Sequence, residues 1–188
     1  MGQKVIGVTG KSGSGKTTFA LALSQELNYK YVDVDKIGHQ ASSNPDILKK
    51  LCEKFGKEIL DKDGNLDRKK LGDIVFSEKE KMQQLTDLTW DYMKDVLNKL
   101  LEQHDKIILD WCLLPITEYW DKCDIKILVI ADDVERKNKI LQRDKISEEY
   151  LNKREAASVD YLKYSFDYIF ENDYKEKSMK EMIEKIKA

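Results

Sequence analysis

The stretch Gly10-Lys11-Ser12-Gly13-Ser14-Gly15-Lys16-Thr17 constrains this chain more than any other part of it. It fits G-x-x-x-x-G-K-[ST], a loop that cradles phosphate. Ahead of it runs Lys4-Val5-Ile6-Gly7-Val8-Thr9, a short apolar run of the kind that forms a buried strand. Behind it, Thr17 to Leu27 is free of Gly and Pro and predicts a helix. Strand, Gly-rich loop and helix in that order are the context the motif requires, and a chance Gly/Ser-rich turn would lack it. The glycines open backbone angles closed to other residues, so several N–H groups can face one phosphate at the positive end of the helix dipole. On this reading residues Gly10 to Thr17, with Thr18, bind ATP. Lys16 bridges the β- and γ-phosphates, and the Thr17 hydroxyl holds Mg²⁺.

At 188 residues the chain fits one domain, with room for a small inserted subdomain. Charged residues make up 36% of it, yet the net charge is only −2. That balance argues against a dedicated nucleic-acid binder, which shows a basic excess. No apolar run approaches the roughly 18 residues that span a bilayer. The N-terminus goes straight into a strand, so no signal peptide is expected. Cys52, Cys112 and Cys123 are too few and too scattered for a disulfide framework or a zinc site. Together these features predict a cytoplasmic protein without a membrane or nucleic-acid partner. The oligomeric state is not written in the sequence, and a monomer is favoured.

Four further segments read as strands: Tyr29 to Asp35, Lys106 to Asp110, Ile125 to Ile130 and Asp167 to Phe170. Helical patterns separate them, which predicts an α/β fold with a parallel sheet of about five strands flanked by helices. In such sheets ligands bind beyond the carboxyl ends of the strands, which gathers the loop, Asp33, Asp35 and Asp110 around one crevice. Residues 37–104 carry no strong strand. Ile47, Leu48, Leu51, Cys52 and Phe55 follow helical spacing, and Leu85, Leu88, Tyr92, Val96 and Leu100 follow it on a later helix. This region reads as a helical insertion. Met179, Met182, Ile183 and Ile186 predict a last helix packed on the sheet.

Transfer of a phosphoryl group to a hydroxyl needs a carboxylate to orient that hydroxyl and take its proton. Asp33 and Asp35 stand at i and i+2, which on a strand places both on one face. Asp35, nearer the strand end, is the candidate base, and Asp33 a second acceptor contact. The competing reading is a cap for a helix starting near Lys36. Asp110 ends an apolar run as a metal-holding acid does, with a strand-end cap as the alternative. The charged segment of residues 135–160 has the character of a lid, whose arginines stabilise charge on the moving phosphoryl group. Arg136, Arg143 and Arg154 are its candidates, and spacing alone does not choose among them. Asp61-Lys62-Asp63-Gly64-Asn65 has Gly at the wrong position for a calcium loop and reads as a tight turn. Trp90, Tyr92 and Trp111 read as core residues, with the lining of a ligand pocket as the alternative.

Taken in order, these pieces resemble the dephospho-CoA kinase family over nearly the whole chain. The resemblance rests on Ile6 to Gly10 with the loop, Val32 to Ile37, Ile59 to Gly72 with Val75-Phe76, Ile108 to Asp110 with Leu113-Leu114, and Gln142-Arg143-Asp144. The segment Asp61 to Phe76 discriminates best, since other kinases with this loop do not share it. The resemblance implies transfer of the ATP γ-phosphate to the ribose 3′-hydroxyl of dephospho-CoA. It implies Asp35 as base, Arg143 as lid arginine and residues 37–104 as the acceptor subdomain. The chain departs from the family pattern in several places. Lys11-Ser12 and Thr17 stand where the family has Gly-Ile and Ser. Leu88 to Asp91 replaces a His-Pro pair. Cys112 to Ile116 lacks the usual proline and acid, and Arg154 is followed by Ser158 where a Gln is usual. These changes leave two rival expectations: a nucleoside or nucleotide kinase, and a nucleotide-binding regulator without catalysis.

Overall fold

The computed structural model describes residues 3–156 and 158–188, with the Lys79 side chain outside the description. The elements run β1 (Lys4–Thr9), α1 (Lys16–Leu27), β2 (Lys30–Asp33), α2 (Val34–Ser43), α3 (Pro45–Phe55), α4 (Arg68–Val75), α5 (Lys79–Gln103), β3 (Lys106–Asp110), β4 (Ile125–Ile130), α6 (Asp133–Asp144), α7 (Glu148–Ala156), β5 (Tyr168–Glu171) and α8 (Glu176–Lys187). The chain divides into two compact units. One holds residues up to Val34, Leu101–Leu151 and Ser158–Ala188; the other holds Asp35–Leu100 and a short stretch from Asn152.

The first unit is built on a five-stranded sheet in the order β2-β3-β1-β4-β5. Every neighbouring pair is parallel. The inner strands β1, β3 and β4 are nearly continuous apolar runs, as strands covered on both faces demand. On one face α1 and α8 pack Phe19, Leu23, Met182 and Ile183 against Ile6, Val8, Ile127 and Phe170. The Phe19 and Phe170 rings lie 4.9 Å apart. Burying each such side chain stabilises the fold by about 1.5–3 kcal/mol. The predicted last helix therefore packs on the sheet through Met182, Ile183 and Ile186. The following loops pack tightly on the sheet at Gly7, where a Cβ would sit 2.8 Å from Cys123 Sγ and 2.9 Å from Leu114 Cδ2.

The second strand is shorter than the sequence suggests. It stops at Asp33, and α2 takes over at Val34, so Asp35 lies in the first helical turn. The two aspartates therefore do not share a strand face: the period-2 rule that related them ends where the chain turns helical. Val34 and Ile37 are buried while Asp35 is exposed.

The second unit is helical. Asn44 caps α3 by accepting from the N–H groups of Asp46 and Ile47, and Ile47, Leu51 and Phe55 are buried on one face as the spacing predicts. Asp61 accepts from the N–H groups of Asp63 and Asn65 at 2.9 Å each, which makes residues 61–65 the expected tight turn. These bonds hold the Asp61 carboxyl below its ordinary range. The α5 stripe is displaced by one position from the expectation. Thr89, Met93, Leu97 and Leu101 are buried, and Leu85, Leu88, Tyr92, Val96 and Leu100 are half-buried beside them. Both rows belong to one apolar band wide enough to hold two ridges. Of the three tryptophan and tyrosine residues read as core, Trp111 is buried and Trp90 and Tyr92 are half-buried. Among the described residues, no helix is long and apolar enough to cross a membrane.

Candidate active site

The phosphate loop leaves β1 at Gly10, whose Cβ would collide with the Val129 carbonyl of β4. Gly13 and Gly15 follow with φ of 79° and 86°, left-handed values that a side chain resists. Gly15 serves as the N-cap of α1 and supplies no capping side chain, and the first turn carries no acid. In α3, α4 and α6 an Asn or Asp side chain caps the first N–H groups. At α1 those donors, on Lys16, Thr17 and Thr18, are left for an anion.

The outer side of the loop is tied down carbonyl by carbonyl. Arg136 Nη1 donates to Ser12 O at 2.9 Å, the Tyr174 hydroxyl to Gly13 O at 2.9 Å, and Asn172 Nδ2 to Ser14 O at 2.8 Å. A trans peptide points its N–H opposite to its C=O, so holding Ser12 O and Ser14 O outward turns the N–H groups of Gly13 and Gly15 inward. Successive inward N–H groups make a concavity suited to phosphate.

Asp110 closes the site from the end of β3. The Thr17 hydroxyl donates to its Oδ2 at 2.7 Å and the Tyr31 hydroxyl to the same oxygen at 3.0 Å. Its Oδ1 is buried with no hydrogen-bond partner among the described residues. Burial raises the Asp110 carboxyl above its ordinary value, while Lys16 and the two hydroxyls oppose that shift. Burial and the adjacent Asp110 carboxylate push the Tyr31 hydroxyl far up, so it stays protonated and keeps its hydrogen for Asp110. Asp33 lies directly across the strand pair from Asp110.

The structure sorts the three lid arginines. Arg136 is 1% exposed, and its Nε and Nη2 are bound to Asp133 Oδ1 at 3.1 and 2.9 Å. That bond pulls the Asp133 carboxyl below its ordinary range. Arg136 therefore braces the loop and is not a mobile lid group, a correction to its candidacy as one. Arg143 lies at the last turn of α6, 62% exposed, with Nε and Nη2 on the Asp144 carboxylate at 2.6 and 3.0 Å. Arg154 belongs to α7 in the helical unit. Lys11 extends toward Asp133, 3.9 Å away. Tyr31, Asn172 and Tyr174 escaped sequence reasoning altogether. The one available signal was Asn172-Asp173 directly after a strand, where a turn with side-chain hydrogen bonds is expected.

A phosphate loop at the end of β1, an uncapped helix and strand-end aspartates on a five-stranded parallel sheet define a P-loop kinase. Comparisons with known proteins narrow that class. The family model for dephospho-CoA kinase matches residues 4–177. A dephospho-CoA kinase of Fusobacterium nucleatum is 38% identical over 151 residues, 79% of this chain and 78% of that protein. One of Aquifex aeolicus is 32% identical over 176 residues, 90% of this chain and 88% of that protein. The crystal structure of TT1252 from Thermus thermophilus superposes with a TM-score of 0.80 at 25% identity, covering 99% of this chain and 97% of that one. The chain belongs to the dephospho-CoA kinase family. That membership does not favour the rival expectations of another acceptor or of a regulator without catalysis.

Proposed function

We propose that this chain transfers the γ-phosphoryl group of ATP to the ribose 3′-hydroxyl of dephospho-CoA, completing coenzyme A, with the roles that follow. The observation that carries the reading is the uncapped start of α1 beside a buried aspartate with one unpaired oxygen. Lys16 and the inward N–H groups of residues 13 and 15–18 hold the phosphates. Thr17 and Asp110 fit a hard divalent cation, which prefers hydroxyl and carboxylate oxygens. Thr17 donates its hydrogen bond to Asp110, which leaves its lone pairs for the ion, and Asp110 Oδ1 is a second oxygen without a partner among the described residues. Bound Mg²⁺ would neutralise charge on the β- and γ-phosphates.

Asp35 is the base that orients the acceptor hydroxyl and receives its proton, with Asp33 as a further acceptor contact. Support comes from its exposure at the first turn of α2 and from its match to the family pattern. Arg143 releases Asp144 and stabilises the charge on the phosphoryl group in flight. Residues 37–104 bind the acceptor, and residues 135–160 act as the lid. The test is Asp35→Asn. Turnover should fall by about 10²–10⁴-fold, the size of a general-base contribution, with ADP binding retained. Near-normal turnover in that variant removes Asp35 from the role.

A further inference from the structure

The turn after β5 holds Tyr174 at φ 59°, a left-handed conformation that a bulky aromatic residue rarely takes. Asn172 builds the turn, its Oδ1 accepting the Tyr174 N–H at 2.9 Å. That bond points Asn172 Nδ2 at Ser14 O, while the Tyr174 hydroxyl reaches Gly13 O. Two adjacent carbonyls of the phosphate loop are thus held by one strained turn from the far end of the chain. The fit at the loop is close, since a Cβ on Gly15 would collide with Asn172 Nδ2. From α6, Lys139 Nζ sits 4.1 Å from the Tyr174 ring centroid and fixes the ring further.

Strain of this kind persists only where the surroundings over-determine it. Gly or Asn would make the same turn with little strain. Neither carries a hydroxyl on a rigid arm long enough to reach Gly13. We propose that Tyr174 is a positioning residue for phosphate binding, its strained backbone kept so that its hydroxyl and the Asn172 amide hold the Gly13 and Ser14 carbonyls outward. Holding Ser14 O turns the Gly15 N–H to the phosphates. Holding Gly13 O braces the turn in which Ser14 N–H bonds Lys11 O at 3.2 Å. Peptides flanked by glycine flip easily, and a loop already fixed loses less freedom when the ligand arrives.

The inference rests on the loop binding nucleotide, so wild-type ADP titration by calorimetry comes first. Tyr174→Phe keeps the ring and removes only the hydroxyl. It should weaken ADP binding by about three- to tenfold, the worth of one neutral hydrogen bond. KM for ATP should rise with it, while KM for dephospho-CoA and the thermal midpoint of the free protein stay close to wild type. Tyr174→Asn relaxes the backbone and loses the reach, so it should also bind ADP more weakly, with a midpoint at or above wild type. Wild-type ADP affinity in Tyr174→Phe overturns the inference, as does weakening that merely tracks loss of thermal midpoint across both variants. A wild-type protein that binds no ADP removes the nucleotide reading and this inference with it.

Discussion

The Thr17 hydroxyl donates to Asp110 Oδ2 at 2.7 Å, and this bond decides which way the oxygen's lone pairs face. With its proton committed to Asp110, the hydroxyl has only acceptor capacity to offer a cation. Thr17→Ala should therefore raise the Mg²⁺ concentration needed for half-maximal turnover by at least about tenfold, whereas Thr17→Ser should stay near wild type. Asp110→Asn should show the same loss, because an amide nitrogen can replace the unpaired carboxylate oxygen in space but not in charge. A Mg²⁺ titration of turnover in the three variants checks this, and unchanged dependence in Asp110→Asn would remove Asp110 from the metal site.

Arg136 should matter for stability more than for chemistry. Its guanidinium is buried between Ser12 O and Asp133. Arg136→Ala leaves that carbonyl without its donor and opens a cavity, with an expected cost of about 2–4 kcal/mol. Arg136→Lys should not restore it, since a single ammonium cannot serve both partners in the planar geometry of the fork. Urea unfolding of the two variants measures the difference.

Arg143 should behave in the opposite way. It is exposed and pairs with its own neighbour Asp144, so Arg143→Ala should leave the thermal midpoint unchanged. Turnover should drop by about 10²-fold or more if the side chain stabilises transferring charge. A kcat equal to wild type would return Arg143 to the ordinary role of a solvated helix residue.

Sequence reasoning reached the parts of this site whose chemistry is local. Gly10 to Thr17 is contiguous, so the motif that marks the loop is read within a few positions. Asp110 was legible because a buried run ending in an acid places that acid at the rim of a parallel sheet. The helical setting of Asp35 is not legible, since nothing in Tyr31-Val32-Asp33-Val34 announces that the strand ends at Asp33 and a helix begins at Val34. The bracing of the site was not legible. The bonds of Tyr31 to Asp110, Arg136 to Ser12, Asn172 to Ser14 and Tyr174 to Gly13 span 79, 124, 158 and 161 positions. Only the packed sheet brings these residues together, so Arg136 looked like one more charge on a solvated helix.

Cys123 offers a pH test of the fold. Burial pushes its thiol up to about 12, from an ordinary 9.0. In the unfolded chain the thiol ionises near the ordinary value, while in the folded chain it stays protonated. The folded state therefore holds the extra proton between those values, and stability falls as pH rises through that window. Thermal midpoints measured from pH 8 upward should decline less steeply in Cys123→Ala than in wild type, once the constant cavity cost is subtracted. Mass spectrometry after brief alkylation of the native protein should find Cys52 and Cys112, both half-buried, labelled ahead of Cys123.

The proposed reaction is the phosphorylation of dephospho-CoA with Asp35 as its base. A coupled ADP-release assay with dephospho-CoA, nucleosides and nucleoside monophosphates as separate acceptors tests it most directly. Mg²⁺- and ATP-dependent turnover with dephospho-CoA should lie far above that with any other acceptor and should be lost in Asp35→Asn. Turnover confined to nucleoside monophosphates would contradict it.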